Sequence, residues 1–284
     1  GAPSRSVREI RVSSLDRPSI AVLPFREPDI PEGSSYFGDG IVEGIIGALA
    51  CLPDLVVISR NSTSRFRGAP VDVGAVGREV GVRYVLSGSV RRAGERIRIM
   101  SELSDSETQR VLWTDKIDGR TDDLFDLQDR LSEKTITTIA PHVQEAEMRR
   151  VLLKRPENFG AYDFMLRGLE LLYRLKRNEF DRAREMFEKS IALDPGYATP
   201  YALTALWHSI RIGQGWSDDL RGDHQATNRF AEAALERDPF DARALSVCGH
   251  MRALLFRDYD GAFGLFERAI AASPNSSGVW LRSS

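Results

Sequence analysis

Two carboxylates, Asp39 and Glu43, lie four residues apart, which places both on one face of a predicted helix. Paired carboxylates of this kind can serve general acid–base catalysis. Acidic residues at the start of a helix also stabilise it, because they interact with free backbone N–H groups, and this structural interpretation is favoured here. The pair alone therefore does not predict an enzyme.

A second group of polar residues directly follows a predicted buried strand. In open α/β sheets, ligands bind beyond the carboxyl ends of the strands, and Arg60 with nearby N–H groups could hold an anion there. The alternative, which is favoured, is that Arg60 and Asn61 fix the loop through turn hydrogen bonds. The candidate ligand-binding residues at this edge are Phe25, Asp39, Ser59, Arg60, Asn61 and Ser62.

Motifs for other chemistry are absent from the sequence. It contains no His-Glu-x-x-His, no Cys-x-x-Cys and no phosphate loop ending in Gly-Lys-Ser/Thr. Ser87-Gly88-Ser89 lies within a predicted strand, not at a strand-to-helix turn, so it is unlike a nucleophile elbow. The four histidines are scattered through predicted helices, where packing or surface roles are favoured. We therefore expect no catalytic residue, no metal site and no cofactor.

The first part of the chain must position these groups through strands and helices. Apolar runs at 19–25 and 55–59, separated by an amphipathic helix that starts at Asp39 or Gly40, predict two parallel strands with a crossover. A helix over 73–80 and three further strands over 82–90, 96–103 and 110–117 follow, the last three as an antiparallel meander. Thr121 begins a long helix, which Pro141 is expected to kink or break.

The second part of the chain has a different period. Helical phrases end at Pro195, Pro239 and Pro274, and in the first and last an alanine precedes an aromatic residue by four positions. Spacing of this kind predicts paired, stacked helices. The fold class is therefore α/β plus all-α: a small mixed-sheet domain at 18–120, a connector helix at 121–155 and a helical solenoid at 156–284, after a linker or cloning remnant at 1–17. An end within a repeat predicts an excised fragment of a longer protein.

The concave face of such a helix stack would come mainly from the first helix of each pair. Aromatic and arginine side chains on that face are what protein interfaces favour. Packing of Tyr201 and Trp207 against adjacent helices is an equally supported alternative. The candidate partner-binding residues are Phe164, Arg167, Tyr201, Trp207 and Arg211.

Several phrases occur together in an order that resembles a known module. The proline-ended phrases resemble the second helix of the tetratricopeptide repeat, whose general use is to hold other proteins. The earlier phrases are similar to the N-terminal domain of the TolB family, and the set resembles the region downstream of the catalytic domain in bacterial class III adenylate cyclases. A similar region follows the winged-helix domain in some bacterial transcription regulators. The phrases are 17–25, 36–45, 58–62, 81–91, 112–113, 125–128 and 161–163.

This resemblance implies a non-catalytic regulatory and protein-interaction module that senses a partner or small ligand and controls an attached output domain. It defines no functional residue that can be transferred to this chain. The alternative is an enzyme fragment with an unrecognised site in the α/β domain. Copurifying ligands and turnover assays discriminate the two.

Composition limits the partners and the compartment. The chain has 284 residues, 42% of them hydrophobic and 28% charged, and a net charge of −2. These values are ordinary for globular proteins, and they predict neither direct nucleic acid contact nor a membrane span. A protein or peptide bound by the helices, a small anion bound by the sheet domain, and a homodimer all stay open. The two cysteines are expected to be buried free thiols. We expect a cytoplasmic location, or a periplasmic one if a membrane segment precedes Gly1.

Overall fold

The computed structural model describes residues 17–28, 36–52, 54–68, 72–121 and 123–273. The predicted N-terminal linker, apart from Arg17, and the third helix stop at Pro274 with the sequence after it lie outside the described residues. The chain divides into two compact units, one over Arg17–Glu147 and one from Met148 onward. The division falls inside a helix that the sequence places within a separate connector at 121–155.

The first unit contains a five-stranded mixed sheet. Its strands are β1 (Ser19–Val22), β2 (Val56–Val57), β3 (Tyr84–Ala93), β4 (Arg96–Asp105) and β5 (Val111–Arg120). The spatial order is β2-β1-β3-β4-β5, so β2 is an edge strand rather than an inner one. β1 is parallel to β2 and to β3, and β3, β4 and β5 form an antiparallel meander. The predicted mixed sheet is confirmed.

Helices cover both sides of the sheet at β1 and at the start of β3, where successive side chains are buried. The helices are α1 (Tyr36–Ala50), α2 (Arg60–Thr63), α3 (Val73–Val80) and α4 (Leu124–Leu153). Residues of α1 and α4 share one apolar cluster with β1, β3 and β4, whereas α3 packs on a second cluster with β1 and β3. α4 is continuous through Pro141, so the expected break does not occur.

The second unit consists of packed helix pairs. The first pair is α5 (Ala161–Arg174) with α6 (Arg177–Leu193), and the second is α7 (Ala198–Gly213) with α8 (Leu220–Arg237). The third is α9 (Ala242–Met251), which runs into a π-helical turn at Arg252–Phe256, with α10 (Tyr259–Ala272). The predicted α-helical character of this part is confirmed.

Small residues let the two helices of a pair approach closely. Gly168 of α5 lies against the Phe187 ring, where an added Cβ would stand 2.5 Å from a ring carbon. Gly249 of α9 lies against Phe266 in the same way, with a corresponding distance of 2.8 Å. In each pair the alanine four residues before that aromatic is fully or almost fully buried. The Ala–aromatic spacing is therefore the packing signal that the sequence indicates.

The helices α6 and α8 end just before Pro195 and Pro239, and an arginine side chain donates a hydrogen bond to the carbonyl oxygen of each proline. Arg237 donates a hydrogen bond through Nε to the Pro195 carbonyl oxygen at 2.7 Å. Arg268 donates one to the Pro239 carbonyl oxygen, also at 2.7 Å. In each case the second helix of one pair therefore binds the terminus of the pair before it.

Candidate functional site

The edge beyond β1 and β2 brings together some of the predicted ligand-binding residues. Asp39 lies in the first turn of α1, and Arg60 begins α2 directly after β2. The Arg60 guanidinium is 2.7 Å from the Asp39 carboxylate and also pairs with Glu43. Arg67, which the sequence did not single out, pairs with the other oxygen of Asp39. These four side chains form a single ionic cluster.

This cluster is electrically neutral, because two carboxylates face two guanidinium groups. The Arg60 side chain is 34% exposed and its cationic group is already occupied by two carboxylates. An incoming anion would have to displace Asp39 or Glu43 from Arg60. The cluster therefore works first as a clamp that ties α1 to α2 and to the turn after it.

The other predicted ligand residues have different surroundings. Phe25 is 3% exposed, and its ring fills the space above Gly88, so it belongs to the core rather than to an open crevice. The Ser59 and Ser62 hydroxyls are 3.3 Å apart across the first turn of α2. Asn61 is exposed, and its carbonyl accepts a hydrogen bond from Ser64. The expected loop is thus a short helix, whose local hydrogen bonds match the favoured structural interpretation.

A buried carboxylate lies elsewhere in the same unit. Glu147 is fully buried and pairs with Arg83, while the Tyr84 hydroxyl donates a hydrogen bond to it at 2.7 Å. Burial raises the pKa of Tyr84, and the Glu147 carboxylate raises it further. Tyr84 therefore stays protonated and anchors the end of α4 to β3.

In the helical unit, two of the predicted partner residues lie in the interior. Trp207 is 1% exposed, its ring stacks on Phe180 at 5.1 Å, and its Nε1 donates to the Phe180 carbonyl at 2.8 Å. Tyr201 is 7% exposed, and its hydroxyl donates to the Pro195 carbonyl. The alternative that these two residues pack against adjacent helices is correct, and the concave-face placement is wrong for them.

The remaining predicted partner residues are partly exposed. The Lys189 ammonium lies 5.7 Å from the centre of the Phe164 ring, and Arg167 pairs with Glu170 one turn on. Arg211 binds the Trp216 carbonyl and the Asp218 carboxylate, so it holds the loop between α7 and α8.

A buried polar network under this loop is the feature that the sequence signalled least. His208 Nδ1 is 2.6 Å from one Asp223 oxygen, and the Ser217 hydroxyl donates to the other. Burial lowers the pKa of His208 despite the opposing effect of Asp223. Burial acts to raise the pKa of Asp223, but hydrogen bonds from Ser217 and His208 bring it below its usual value.

The order of these contacts excludes a nucleophile relay in this arrangement. In a Ser-His-Asp triad the histidine bonds to the serine, whereas here both Ser217 and His208 bond to the carboxylate. The network instead satisfies a buried carboxylate and fixes the loop. The spacing of residues in the sequence does not predict this network, because its members come from α7, the loop and α8.

Within the described residues, no group of three or more His, Cys, Asp or Glu side chains is arranged to hold a metal ion. The same part of the chain has no helix that combines the length and apolar character needed to cross a bilayer. Cys248 is buried, and burial raises the pKa of its thiol to about 12, whereas Cys51 is partly exposed. The prediction of buried thiols therefore holds for Cys248 and is wrong for Cys51.

The sheet unit resembles a domain of bacterial regulators. Residues 16–134 match the family described as the second domain of HilA/YgeH-like transcriptional regulators. This match includes all five strands and the first part of α4. It ends before the helix pairs, whose assignment as tetratricopeptide repeats stays a prediction.

A longer similarity reaches into the helical unit. The chain is 32% identical over 222 residues to a protein of Rhizobium meliloti (strain 1021) named "Putative adenylate cyclase 3". The alignment covers 78% of this chain and 38% of that protein, so the chain spans well under half of the relative's length. Together the two matches relate this chain to regulatory proteins.

Several solved structures align with part of the chain at low TM-scores. TolB from Acinetobacter baumannii aligns with 43% of this chain and 28% of its own, at 15% identity and a TM-score of 0.32. A PelC dodecamer from Paraburkholderia phytofirmans aligns with 43% of this chain and 86% of its own, at 17% identity and a TM-score of 0.31. The LpoB C-terminal domain from Salmonella enterica aligns with 37% and 84%, at 16% identity and a TM-score of 0.30. At these scores they support no conclusion about activity or assembly.

Proposed function

We propose that this chain is a non-catalytic regulatory and protein-interaction module of a bacterial signalling protein. It receives a protein partner or a small ligand and controls an attached output domain, in a cytoplasmic adenylate cyclase or transcription regulator. Its helix pairs bind the protein partner, with Phe164 and Arg167 among the contacts.

The observation that carries this proposal is the length of the similarity to the cyclase relative. The alignment over 222 residues is longer than either compact unit, so it must include parts of both. Sequence from both units therefore has a counterpart in one protein, named a putative adenylate cyclase. The sheet alone matches a family of transcriptional regulators. A sheet unit that is similar to parts of proteins with two kinds of output fits control better than chemistry of its own.

The ionic cluster at the sheet edge supports the same conclusion. Asp39 and Glu43 face Arg60, and Asp39 also faces Arg67, so neither carboxylate is a free acid or base in this arrangement. A general base must lie within hydrogen-bond reach of the proton that it removes, and here each carboxylate is engaged by a guanidinium group.

A first experiment tests for catalysis by the chain itself. The purified chain is incubated with ATP or GTP and Mg²⁺ or Mn²⁺, and cyclic nucleotide and phosphate release are measured. We expect no turnover above buffer. Turnover that persists through further purification and is lost in the Asp39→Asn, Glu43→Gln variant would establish the enzyme alternative.

A second experiment tests control of an output. In the full-length protein that contains this chain, Phe164→Ala with Arg167→Glu is compared with the matched exposed pair Arg182→Glu and Leu193→Ala of α6. We expect the first pair to change cyclic AMP production or transcription while protein abundance and thermal unfolding stay the same. Equal output from both variants and the wild type, at equal abundance, contradicts the proposed contacts. Unchanged output on deletion of the whole segment contradicts the regulatory function.

A further inference from the structure

The strand register places arginines of like charge directly opposite one another on one face of the meander. Arg91 of β3 pairs in register with Arg98 of β4, and Arg96 of β4 pairs with Arg120 of β5. Directly opposed residues on a sheet have Cβ atoms only about 5 Å apart, so like charges there are destabilising. A fold that keeps two such pairs on one face has concentrated positive charge there.

The same face extends to the next row of side chains. Arg26 forms an isolated β-bridge with Ser89. Ser89 pairs in register with Met100, and Met100 pairs in register with Lys116. Side chains paired in register lie on the same face of a sheet. We call this surface the basic face; its cations are Arg26, Arg91, Arg96, Arg98, Lys116 and Arg120.

Among the described residues of this surface, carboxylates are fewer than cations. Arg98 pairs with Asp118 at 2.6 Å, and Arg120 pairs with Glu95 of the β3–β4 turn at 2.8 Å. Glu102, two residues beyond Met100, lies on the same face. Positive charge is thus in excess on the basic face, although the whole chain carries a net charge of −2.

The basic face is open to solvent. The six cations are all exposed, while the alternate residues Ile97, Ile99 and Leu103 of β4 are buried on the opposite face. Met100, in the middle of the surface, is 49% exposed. The helices α1 and α4 pack with the opposite face, and α3 packs with residues near the start of β3.

We propose that the basic face docks an acidic segment of a partner polypeptide. This surface is additional to the helix pairs of the proposed function and does not depend on them. The excess of cations favours a negatively charged ligand, and the central Met100 supplies an apolar contact. Arginine and methionine are both enriched in protein–protein interfaces.

The surface is less suited to nucleic acid. Proteins that bind single strands stack bases on aromatic side chains, and the paired residues of the basic face include none. Duplex-binding domains are usually strongly basic overall, whereas the pI of this chain is about 6.2. Discrete carboxylates of a peptide can also avoid Asp118 and Glu102 more easily than a continuous row of phosphates.

Fluorescence anisotropy tests the proposal with a labelled peptide of alternating glutamate and serine that has one central leucine. We expect the chain to bind this peptide but not the matched peptide in which glutamine replaces glutamate. The glutamate peptide should dissociate as the salt concentration rises from about 50 to about 200 mM. The Arg91→Glu, Arg96→Glu variant should bind at least about tenfold more weakly. The control Arg110→Glu, Arg182→Glu has the same change in net charge at exposed positions outside the basic face, and it should bind within about twofold of wild type.

Three other results would overturn either the docking surface or the choice of an acidic polypeptide as its ligand. Equal loss in the variant and the control shows a net-charge effect and overturns the docking surface, as does absence of peptide binding. Tighter binding of a short DNA duplex than of the peptide, with loss in the same variant, overturns the choice of an acidic polypeptide. Thermal unfolding serves as the folding control, and the variant should be at least as stable as wild type because each reversal removes a like-charge pair.

Discussion

The first and third helix pairs carry aromatic side chains at matching positions, yet their surroundings differ. Phe180 and Tyr259 both lie fifteen residues before the proline that ends the phrase. Phe180 is buried under Trp207 of α7, whereas Tyr259 is 66% exposed. Phe263, at the position where α6 has Arg184, is 64% exposed. At Phe180 it is the contact with Trp207 of the following helix that makes the position part of the core.

Trp207→Ala should give the largest effect, because it removes a buried indole together with its hydrogen bond to Phe180. We expect a loss of about 3–5 kcal/mol in the free energy of unfolding. Tyr259→Ala, at an exposed matching position, should change it by less than about 0.5 kcal/mol. Urea denaturation of both variants measures the difference, and similar losses would show that Tyr259 is covered in solution.

Gly168→Ala should cost about 1–3 kcal/mol, because the new methyl group meets the Phe187 ring and the Ala183 carbonyl. Gly249→Ala should cost less, since its closest ring contact is 2.8 Å rather than 2.5 Å. Gly264→Ala in α10 has open space around the added carbon and should stabilise the helix by about 1 kcal/mol. The opposite order of the first two would contradict the tighter packing of the first pair.

His208, the residue after Trp207, should make the free energy of unfolding depend on pH. Its pKa is lowered in the folded state, whereas in the unfolded chain it is about 6.5. Below about pH 6.5 the unfolded state therefore binds more protons, and stability falls as pH falls toward the folded-state pKa. Above about pH 6.5 this residue contributes no pH dependence.

The His208→Gln variant provides the reference for that measurement. Its amide can still donate to Asp223 but does not titrate, so its stability should decline less between about pH 6.5 and pH 5. If the free energies of unfolding of the two proteins decline equally between about pH 6.5 and pH 5, His208 is not the source of the pH dependence.

Phe263→Arg should have the smallest effect, because it gives α10 the residue type that α6 has at the matching position. We expect a change within about 0.5 kcal/mol, as for other exposed substitutions. A loss of more than about 2 kcal/mol in chemical denaturation would mean that Phe263 packs against another surface.

Much of the fold could be predicted from local patterns. Short apolar runs indicated β1 and β2, alternation indicated β4, and the Ala–aromatic spacing indicated the pairs that contain Ala183 and Ala262. The local signal overestimated the length of β2, which has two residues within the apolar run 55–59, and it failed at α2, where the fixed polar turn was expected to be a loop. At Pro141 the helix continues, although the proline removes one backbone hydrogen bond.

The candidate sites were harder to predict because they depend on partners far away in sequence. The proximity of Asp39 and Arg60 followed from strand topology, but the neutralising Arg67 did not. Trp207 and Tyr201 looked like interface residues because their types suit both interfaces and cores. The basic face required the strand register, since the sequence does not say that Arg96 lies opposite Arg120.

The hydrogen bonds from arginine to the proline carbonyls give the helical unit a direction. Arg237 of the second pair holds the turn that ends the first, and Arg268 of the third holds the turn that ends the second. Loss of the third pair therefore removes the donor at Pro239 and leaves the bond at Pro195, whereas loss of the first pair removes the acceptor of Arg237 and leaves the bond at Pro239. Each bond couples the two pairs that it joins, so its removal by Arg237→Ala or Arg268→Ala should lower amide protection, measured by hydrogen exchange, in those two pairs.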